Sequence, residues 1–337
     1  MKNLCGIDED EIFNEIRKLG FSRVHSLKIC NGIYKKGIRS VADLDIPKKL
    51  RIELASSSCI DIIPVNGSEA SADGTIKFLF KNRENKKYET VFIPDKKRST
   101  VCVSSQSGCR MGCNFCATGK YGFHGNLSAG EIVGQVLSIP QYTSINHVVF
   151  MGMGEPFDNF ENVIKAAGIM TAQWGMSISS RNITVSTVGI TPGVKRFLDE
   201  TKFNLTVSLF SPFQAERMKI VPAERTYPVE DIIRIIKCAP PSHRRRLTLS
   251  YVMIQGLNDS DSHLEALKNL LEGTDIRINL LPYHPVGFDS NTSSSEERMH
   301  YFKHNLIVSG ISASIRKSRG ADISAACGLL ASGLKAE

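Results

Sequence analysis

Apolar positions change their period twice along the chain. Between residues 1 and 63 they recur at helical spacing. Leu19, Val24, Leu27, Ile33 and Ile38 fall turn by turn, and Ile46-Pro47 opens a further short helix through Leu54 and Ala55. Residues 64–74, PVNGSEASADG, lose the pattern and read as a polar turn or linker. Strand-like runs follow at Ile76–Lys81 and Tyr88–Ile93, and the charged turn Asn82–Lys87 between them predicts a β-hairpin.

From residue 99 strand-length runs alternate with amphipathic helices. Strands are predicted at Thr100–Ser104, His147–Met151, Asn182–Ser186, Asn204–Leu209, Leu247–Met253 and Ile276–Leu281. Ser128 and Glu131 have the spacing of a capping box. Val163, Ala167, Met170 and Trp174 make one apolar stripe; Val229, Ile232, Ile233 and Ile236 make a second; Leu264, Leu267 and Leu271 make a third. Six β–α repeats imply an α/β fold with a parallel sheet. The motifs below follow the strand C-termini, where a barrel carries its chemistry, so a partial (β/α)6 barrel is expected. It would carry a small N-terminal helical domain (1–63) and a linker with a β-hairpin extension (64–98), the barrel and its C-terminal segment occupying 99–337. Residues 289–297, rich in Ser, Asn and Glu, read as a surface loop.

Composition changes this picture little: 42% hydrophobic and 23% charged residues suit an ordinary globular chain. No apolar run is long enough to span a membrane, and the acidic start lacks a signal-peptide core, so a soluble cytoplasmic protein is expected. A net charge of +8 favours an anionic partner, with nucleic acid the natural candidate. Lys86-Lys87, Lys96-Lys97-Arg98 and Arg244-Arg245-Arg246 are possible phosphate contacts, although charge runs are more often solvated faces. His124 and His284 show no ligand spacing.

The nine cysteines carry more information. Their odd number in a long chain speaks against a disulfide framework. Cys109, Cys113 and Cys116 form C-x3-C-x2-C after the first barrel strand. Three thiolates so spaced can ligate three irons of a cubane [4Fe–4S] cluster and leave the fourth iron open to a substrate, a structural zinc site or three buried thiols being the other readings. A structural zinc site needs four closed ligands, and no second paired motif supplies the fourth. Gly152-Met153-Gly154-Glu155-Pro156 follows the second strand; its glycines permit close backbone approach and its carboxylate can accept from an ammonium group.

These two motifs in register resemble the radical S-adenosylmethionine (SAM) superfamily. The resemblance implies that the open iron chelates the amino and carboxylate groups of SAM, which is cleaved to a 5′-deoxyadenosyl radical. Longer strings are more specific. CVSSQSGC (102–109), FCATG (115–119), GMGEP (152–156) and RGADISAACG (319–328) resemble the RlmN/Cfr methyltransferases, and the likeness runs over residues 10–334. That resemblance implies methylation of an adenine carbon, C2 or alternatively C8, in 23S rRNA, with tRNA as a further candidate substrate and an electron donor such as flavodoxin or ferredoxin. By the same resemblance, Cys327 carries the one-carbon unit, Cys102 resolves the protein–RNA adduct by forming a disulfide, and Glu89 takes the proton from the base carbon. SAM contacts are implied at Gly154, Glu155, Ser186, Ser208, Leu209, Phe210 and Asn279. The family usually has His where this chain has Phe210, which puts a side-chain contact there in doubt. Cys5, Cys30, Cys59 and Cys238 match no motif and read as structural. Two alternatives stay open on the residues alone: a related enzyme with another RNA substrate, and a non-catalytic iron–sulfur RNA-binding protein.

Overall fold

The computed structural model describes residues 1–239, 245–287, 290–331 and 333–334. Its N-terminal unit comprises β1 (Lys2–Asn3), α1 (Glu9–Ile16), α2 (Arg23–Tyr34), α3 (Lys48–Ser57) and β2 (Ser58–Cys59). Asp8 and Glu11 close a reciprocal capping box at the start of α1. Ile12 and Ile16 of α1 are buried, as are Ile29, Cys30 and Ile33 of α2. The expected stripe is only partly right: Ile33 is buried, but Leu19, Val24 and Leu27 are 42%, 60% and 37% exposed. Helix α2 carries apolar residues on two sides, and packing against α1 selects the face of Ile29 and Ile33.

A three-stranded meander follows: β3 (Val65–Ala70), β4 (Ile76–Lys81) and β5 (Lys87–Ile93), all antiparallel. The hairpin is as expected. The linker reading of 64–74 is not, because β3 lies within it. No residue of β3 is buried at this sheet edge, so its polar side chains carry no strand period, and pairing with β4 makes it a strand. Strand β5 also pairs with β6 (Thr100–Cys102), which joins the meander to the main sheet.

The remainder runs β7 (Gln106–Gly108), α4 (Ala117–Tyr121), β8 (Phe123–Asn126), α5 (Ala129–Ser138), β9 (His147–Phe150), α6 (Phe160–Thr171) and β10 (Ile183–Thr187). Then come α7 (Thr191–Glu200), β11 (Asn204–Ser208), α8 (Gln214–Ile220), α9 (Val229–Cys238), β12 (Leu247–Met253), α10 (Asp261–Leu271), β13 (Arg277–Pro282), α11 (Glu296–Val308) and β14 (Ala313–Ile315). The main sheet has the order β14-β13-β12-β11-β10-β9-β6-β5-β4-β3, and the strands from β14 to β6 are parallel. All six expected barrel strands are present. Strand β14 is a seventh; it is three residues long and half-buried throughout, so no apolar run announced it. Among the described residues β14 and β3 do not pair, so the barrel is partial. Two smaller boundaries also shift. Trp174 lies beyond the end of α6, its ring 6.0 Å from that of Tyr34. The expected loop at 289–297 ends at Ser295, which N-caps α11; residue 289 lies outside the described residues.

The two faces of the parallel sheet differ chemically. Val101, Val148, Val185, Val207, Leu249 and Ile278 are fully buried in the apolar core. The alternate positions form rows of small polar residues: Ser186–Thr206–Thr248 in one and Ser208–Ser250–Asn279–Ser314 in another. Closed β/α barrels fill this interior with bulky branched side chains. Small polar residues leave it open, and the strand C-termini surround a cavity of about 270 Å³, near the lower end for small-molecule sites. No helix among the described residues is long and apolar enough to cross a membrane.

Candidate active site

The cysteine loop hangs between β7 and α4. Gly108 (φ +73°) starts it, and a Cβ there would stand 1.6 Å from the Gly122 carbonyl oxygen, so only glycine fits. Cys109 N–H donates to that oxygen at 2.9 Å. Asn114 ties the loop to α8 through its N–H to Ile220 O (3.1 Å) and its side-chain Nδ2 to Lys219 O (3.0 Å). Cys109, Cys113 and Cys116 all line the cavity. Burial pushes the Cys109 thiol up to about 12, and the Cys113 thiol is raised by burial and then by its neighbours Cys116 and Cys109. Thiols so crowded give up their protons on binding a cationic partner. Among the described residues no three His, Cys, Asp or Glu side chains converge as a single ion requires. A cubane distributes three thiolates over three irons, so the loop suits a cluster better than a closed zinc site. Phe115, between two of the cysteines, stacks on Phe210 with centroids 5.6 Å apart and planes at 11°.

Opposite the loop stands the Gly152–Pro156 turn. Gly154 (φ +100°) passes so close to Gln106 that a Cβ would lie 2.6 Å from the Gln106 Cβ. Gln106 accepts from Glu155 N–H (2.9 Å) and donates to Asn126 (2.7 Å) and Asp158 (2.6 Å), locking the turn. The buried Glu155 carboxylate accepts from Thr187 Oγ1 (2.7 Å), Phe157 N–H (3.0 Å) and Val188 N–H (2.9 Å). Burial outweighs these bonds and raises its pKa to about 7, with Asp158 adding to the rise. A carboxylate so placed gains from an arriving ammonium.

Ser186 and Ser208 line the cavity beside Gly154 and Glu155. Three other expected SAM contacts do not. Leu209 is buried in the core, Phe210 faces the cluster loop, and Asn279 accepts from Ser314 Oγ at 2.7 Å. Phe210 has φ +64°, and Asn258 Nδ2 holds its carbonyl at 2.7 Å. Its ring therefore packs on the cluster loop.

Arg217 escaped the sequence reading, because it sits in a plain amphipathic helix with no motif. It is fully buried in the wall behind Ser208, ion-paired with the equally buried Glu224. Its Nε donates to Leu209 O (2.8 Å), and its Nη2 donates to Val188 O (2.6 Å) and Ser208 O (3.1 Å). One guanidinium thus fixes the ends of β10 and β11.

Cys102 and Cys327 both open onto the same cavity. Burial pushes the Cys102 thiol up to about 12, with Cys327 adding to the rise. Cys327 is itself exposed, and partial desolvation followed by the neighbouring Cys116 raises its thiol. The segment after Cys327 is pinned by Ala117 N–H to Gly328 O (2.7 Å), Thr118 Oγ1 to Leu330 O (2.9 Å) and Ala331 N–H to Glu89 Oε2 (2.7 Å). Glu89 is buried on the cavity-facing side of β5, beyond the lining residues, 3.4 Å from Lys77 Nζ. Cys5, Cys30, Cys59 and Cys238 do not line the cavity. His284 does, bonded to Ser318 Oγ at 2.5 Å. Of the basic runs, Arg245 is spent on the carbonyls of Leu198 and Thr201, and Arg244 lies outside the described residues.

Comparison with known proteins agrees with this geometry. The radical SAM superfamily profile matches residues 103–270. A probable dual-specificity RNA methyltransferase RlmN of Parabacteroides distasonis is 40% identical over 330 residues, 98% of this chain and 96% of the relative. The dual-specificity RNA methyltransferase RlmN of Syntrophobacter fumaroxidans is 37% identical over 95% of each chain. The crystal structure of a radical SAM methyltransferase from Sphaerobacter thermophilus superposes with a TM-score of 0.90 at 36% identity, covering 98% of this chain and 100% of that one. A [4Fe–4S] cluster and SAM are the cofactors of such enzymes, and this chain belongs to the RlmN family of radical SAM RNA methyltransferases.

Proposed function

We propose that this enzyme methylates an adenine carbon of RNA, C2 in the first instance and C8 as the alternative, through a methylene carried on Cys327. The observation that carries the reading is the meeting of two groups of cysteines in one cavity: Cys109, Cys113 and Cys116 on its loop wall, Cys102 and Cys327 on the others. An ordinary radical SAM enzyme needs only the first group. The substrates proposed are 23S rRNA and tRNA, in keeping with the dual-specificity relatives, with a cytoplasmic flavodoxin or ferredoxin as electron donor.

C2 and C8 of adenine offer no lone pair to a methyl cation, so polar transfer from SAM fails there. Bound cluster and SAM supply a carbon-centred radical that takes a hydrogen from a methyl group. Cys327 presents that methyl as a thioether and bonds through it to the base. Glu89 takes the proton from the base carbon, and the single electron left on the ring would return to the bound cluster, giving a closed-shell thioether adduct. Cys102 then attacks the Cys327 sulfur. The S–S bond forms, the S–CH2 bond breaks, and its electron pair goes to the methylene carbon. Cys102 is a thiol at neutral pH, and its proton is the equivalent the carbon gains in becoming methyl. An external thiol reduces the disulfide.

The two cysteines must fail differently. Cys327→Ala removes the methyl carrier, so neither an adduct nor methyladenine forms. Cys102→Ala permits addition but not release, so a nuclease-sensitive protein–RNA adduct accumulates on a denaturing gel. Mass spectrometry of the nucleosides assigns C2 or C8. Normal turnover by Cys102→Ala, or identical behaviour of both variants, refutes the relay.

A further inference from the structure

The buried ion pair between Lys77 and Glu89 belongs to neither the cluster loop nor the SAM wall. Glu69, Lys77, Val91, Cys102 and Val149 form one row across β3, β4, β5, β6 and β9. Cys102, Val91 and Val149 line the cavity, so the row faces it. Glu89 lies two residues before Val91 on the same face of β5. The Lys77 side chain is 9% exposed and stands between the Glu89 carboxylate (3.4 Å; 5% exposed) and that of Glu69 (3.2 Å; 63% exposed). Burying a lysine and a glutamate costs desolvation that hydrophobic residues at the same sites would avoid, so the pair is not explained by stability.

The second oxygen of Glu89 points at the C-terminal segment. Ala331 N–H donates to Oε2 at 2.7 Å, although Ala331 adopts φ +74°, a left-handed conformation an alanine holds only when its surroundings impose it. A carboxylate accepts such a bond about twice as strongly as a neutral carbonyl. Cys102 is fixed on a paired strand, whereas Cys327 sits on a segment without regular structure. Any approach of the two sulfurs therefore falls to the Cys327 side.

We propose that Lys77 and Glu89 form a latch that holds the Cys327-bearing segment while Glu89 is ionised and loosens it when Glu89 gains a proton. This rests on the reading of Glu89 as the acceptor of the base proton. In that step the C–H bond of the base breaks, its electron pair stays on the ring, and an O–H bond forms on Glu89. Among the described residues, the charged group against Glu89 is Lys77 on β4, with Glu69 on β3 beyond it; the C-terminal segment offers a backbone N–H. Lys77 Nζ, 3.4 Å from Glu89 Oε1, re-forms the ion pair and so resets the latch once the proton leaves. Proton abstraction thereby frees Cys327 to turn to Cys102 at the stage when release is needed.

The test is hydrogen exchange at the amides of residues 327–331 in the cluster-loaded enzyme, which reads the latch without turnover. Glu89→Gln and Lys77→Met should each speed exchange at Ala331 about tenfold, and Lys77→Arg should stay within about twofold of wild type. Wild-type exchange in both Glu89→Gln and Lys77→Met overturns the latch. Equal acceleration across β4 and β5 also overturns it, by making the pair merely structural. Fast local exchange in Glu89→Gln that still methylates RNA at the wild-type rate upholds the latch and removes Glu89 as the proton acceptor.

Discussion

Replacing Arg217 with methionine tests whether one buried cation holds the wall of the SAM cavity. The substitution keeps the aliphatic stem and deletes the guanidinium. Glu224 keeps two bonds from Val229 N–H, at 3.0 and 3.1 Å, but loses its counter-ion in a site without solvent exposure. Breaking a buried pair on one side costs about 3–5 kcal/mol. The carbonyls of Val188, Ser208 and Leu209 lose their donor as well, at about 1–3 kcal/mol for a buried group left unpaired. These terms overlap, and a loss of about 5 kcal/mol is expected, a large part of the usual 5–15 kcal/mol margin. Urea unfolding of the purified chain measures it. Adding Glu224→Leu removes the orphaned charge and should recover about 2 kcal/mol without restoring the carbonyl contacts. That stable double variant should bind SAM at least tenfold more weakly, because Ser208 and its neighbours are no longer held. A single-variant loss below about 1 kcal/mol, or wild-type SAM affinity in the double variant, refutes the reasoning.

Glu155→Gln should change the pH dependence of stability. Burial raises the Glu155 pKa from 4.5 to about 7, so its favourable contribution is complete below pH 4.5 and is lost as pH rises through 7. In the cofactor-free chain the variant should therefore gain on wild type between pH 5 and pH 8, by at most about 3 kcal/mol, while binding SAM more weakly; parallel stability curves would contradict this. Alanine at Cys109, Cys113 or Cys116 should abolish iron loading and SAM cleavage together, and a full cluster in any of the three removes that ligand from the set. Phe210→Ala deletes the ring over Phe115, so the loaded protein should lose its visible absorbance several-fold faster in air. Unchanged decay shows that the stack does not shield the cluster loop.

Much of this molecule is local in origin. The six barrel strands and the capping box at Ser128 were legible because apolar period and cap chemistry are properties of adjacent residues. The cysteine loop and the GMGEP turn were legible for the same reason: each packs its chemistry into a few consecutive positions. Strands β3 and β14 were not, since neither buries an alternating apolar row and only a neighbouring strand makes them strands. The N-terminal stripe misled because α2 offers two apolar faces and only contact with α1 decides between them.

The resemblance named Cys102, Cys327 and Glu89 as partners although they are far apart in the chain, and it also named Leu209, Phe210 and Asn279 as SAM contacts. Only the tertiary structure separates these. It brings the two cysteines to one cavity, leaves Glu89 beyond the lining residues on Lys77 and Ala331, and commits the other three to the core, the cluster loop and Ser314. Arg217 is the clearest case of what a sequence withholds. A lone arginine on a helix reads as solvated, and its meaning lies in three carbonyls and a carboxylate that folding gathers around it. The sequence by itself determined which chemistry the chain carries, because ligand spacing and strand period are short-range. Which residues open onto the cavity and which hold its wall was decided by packing, because burial and hydrogen-bond partners come from elements distant in the chain.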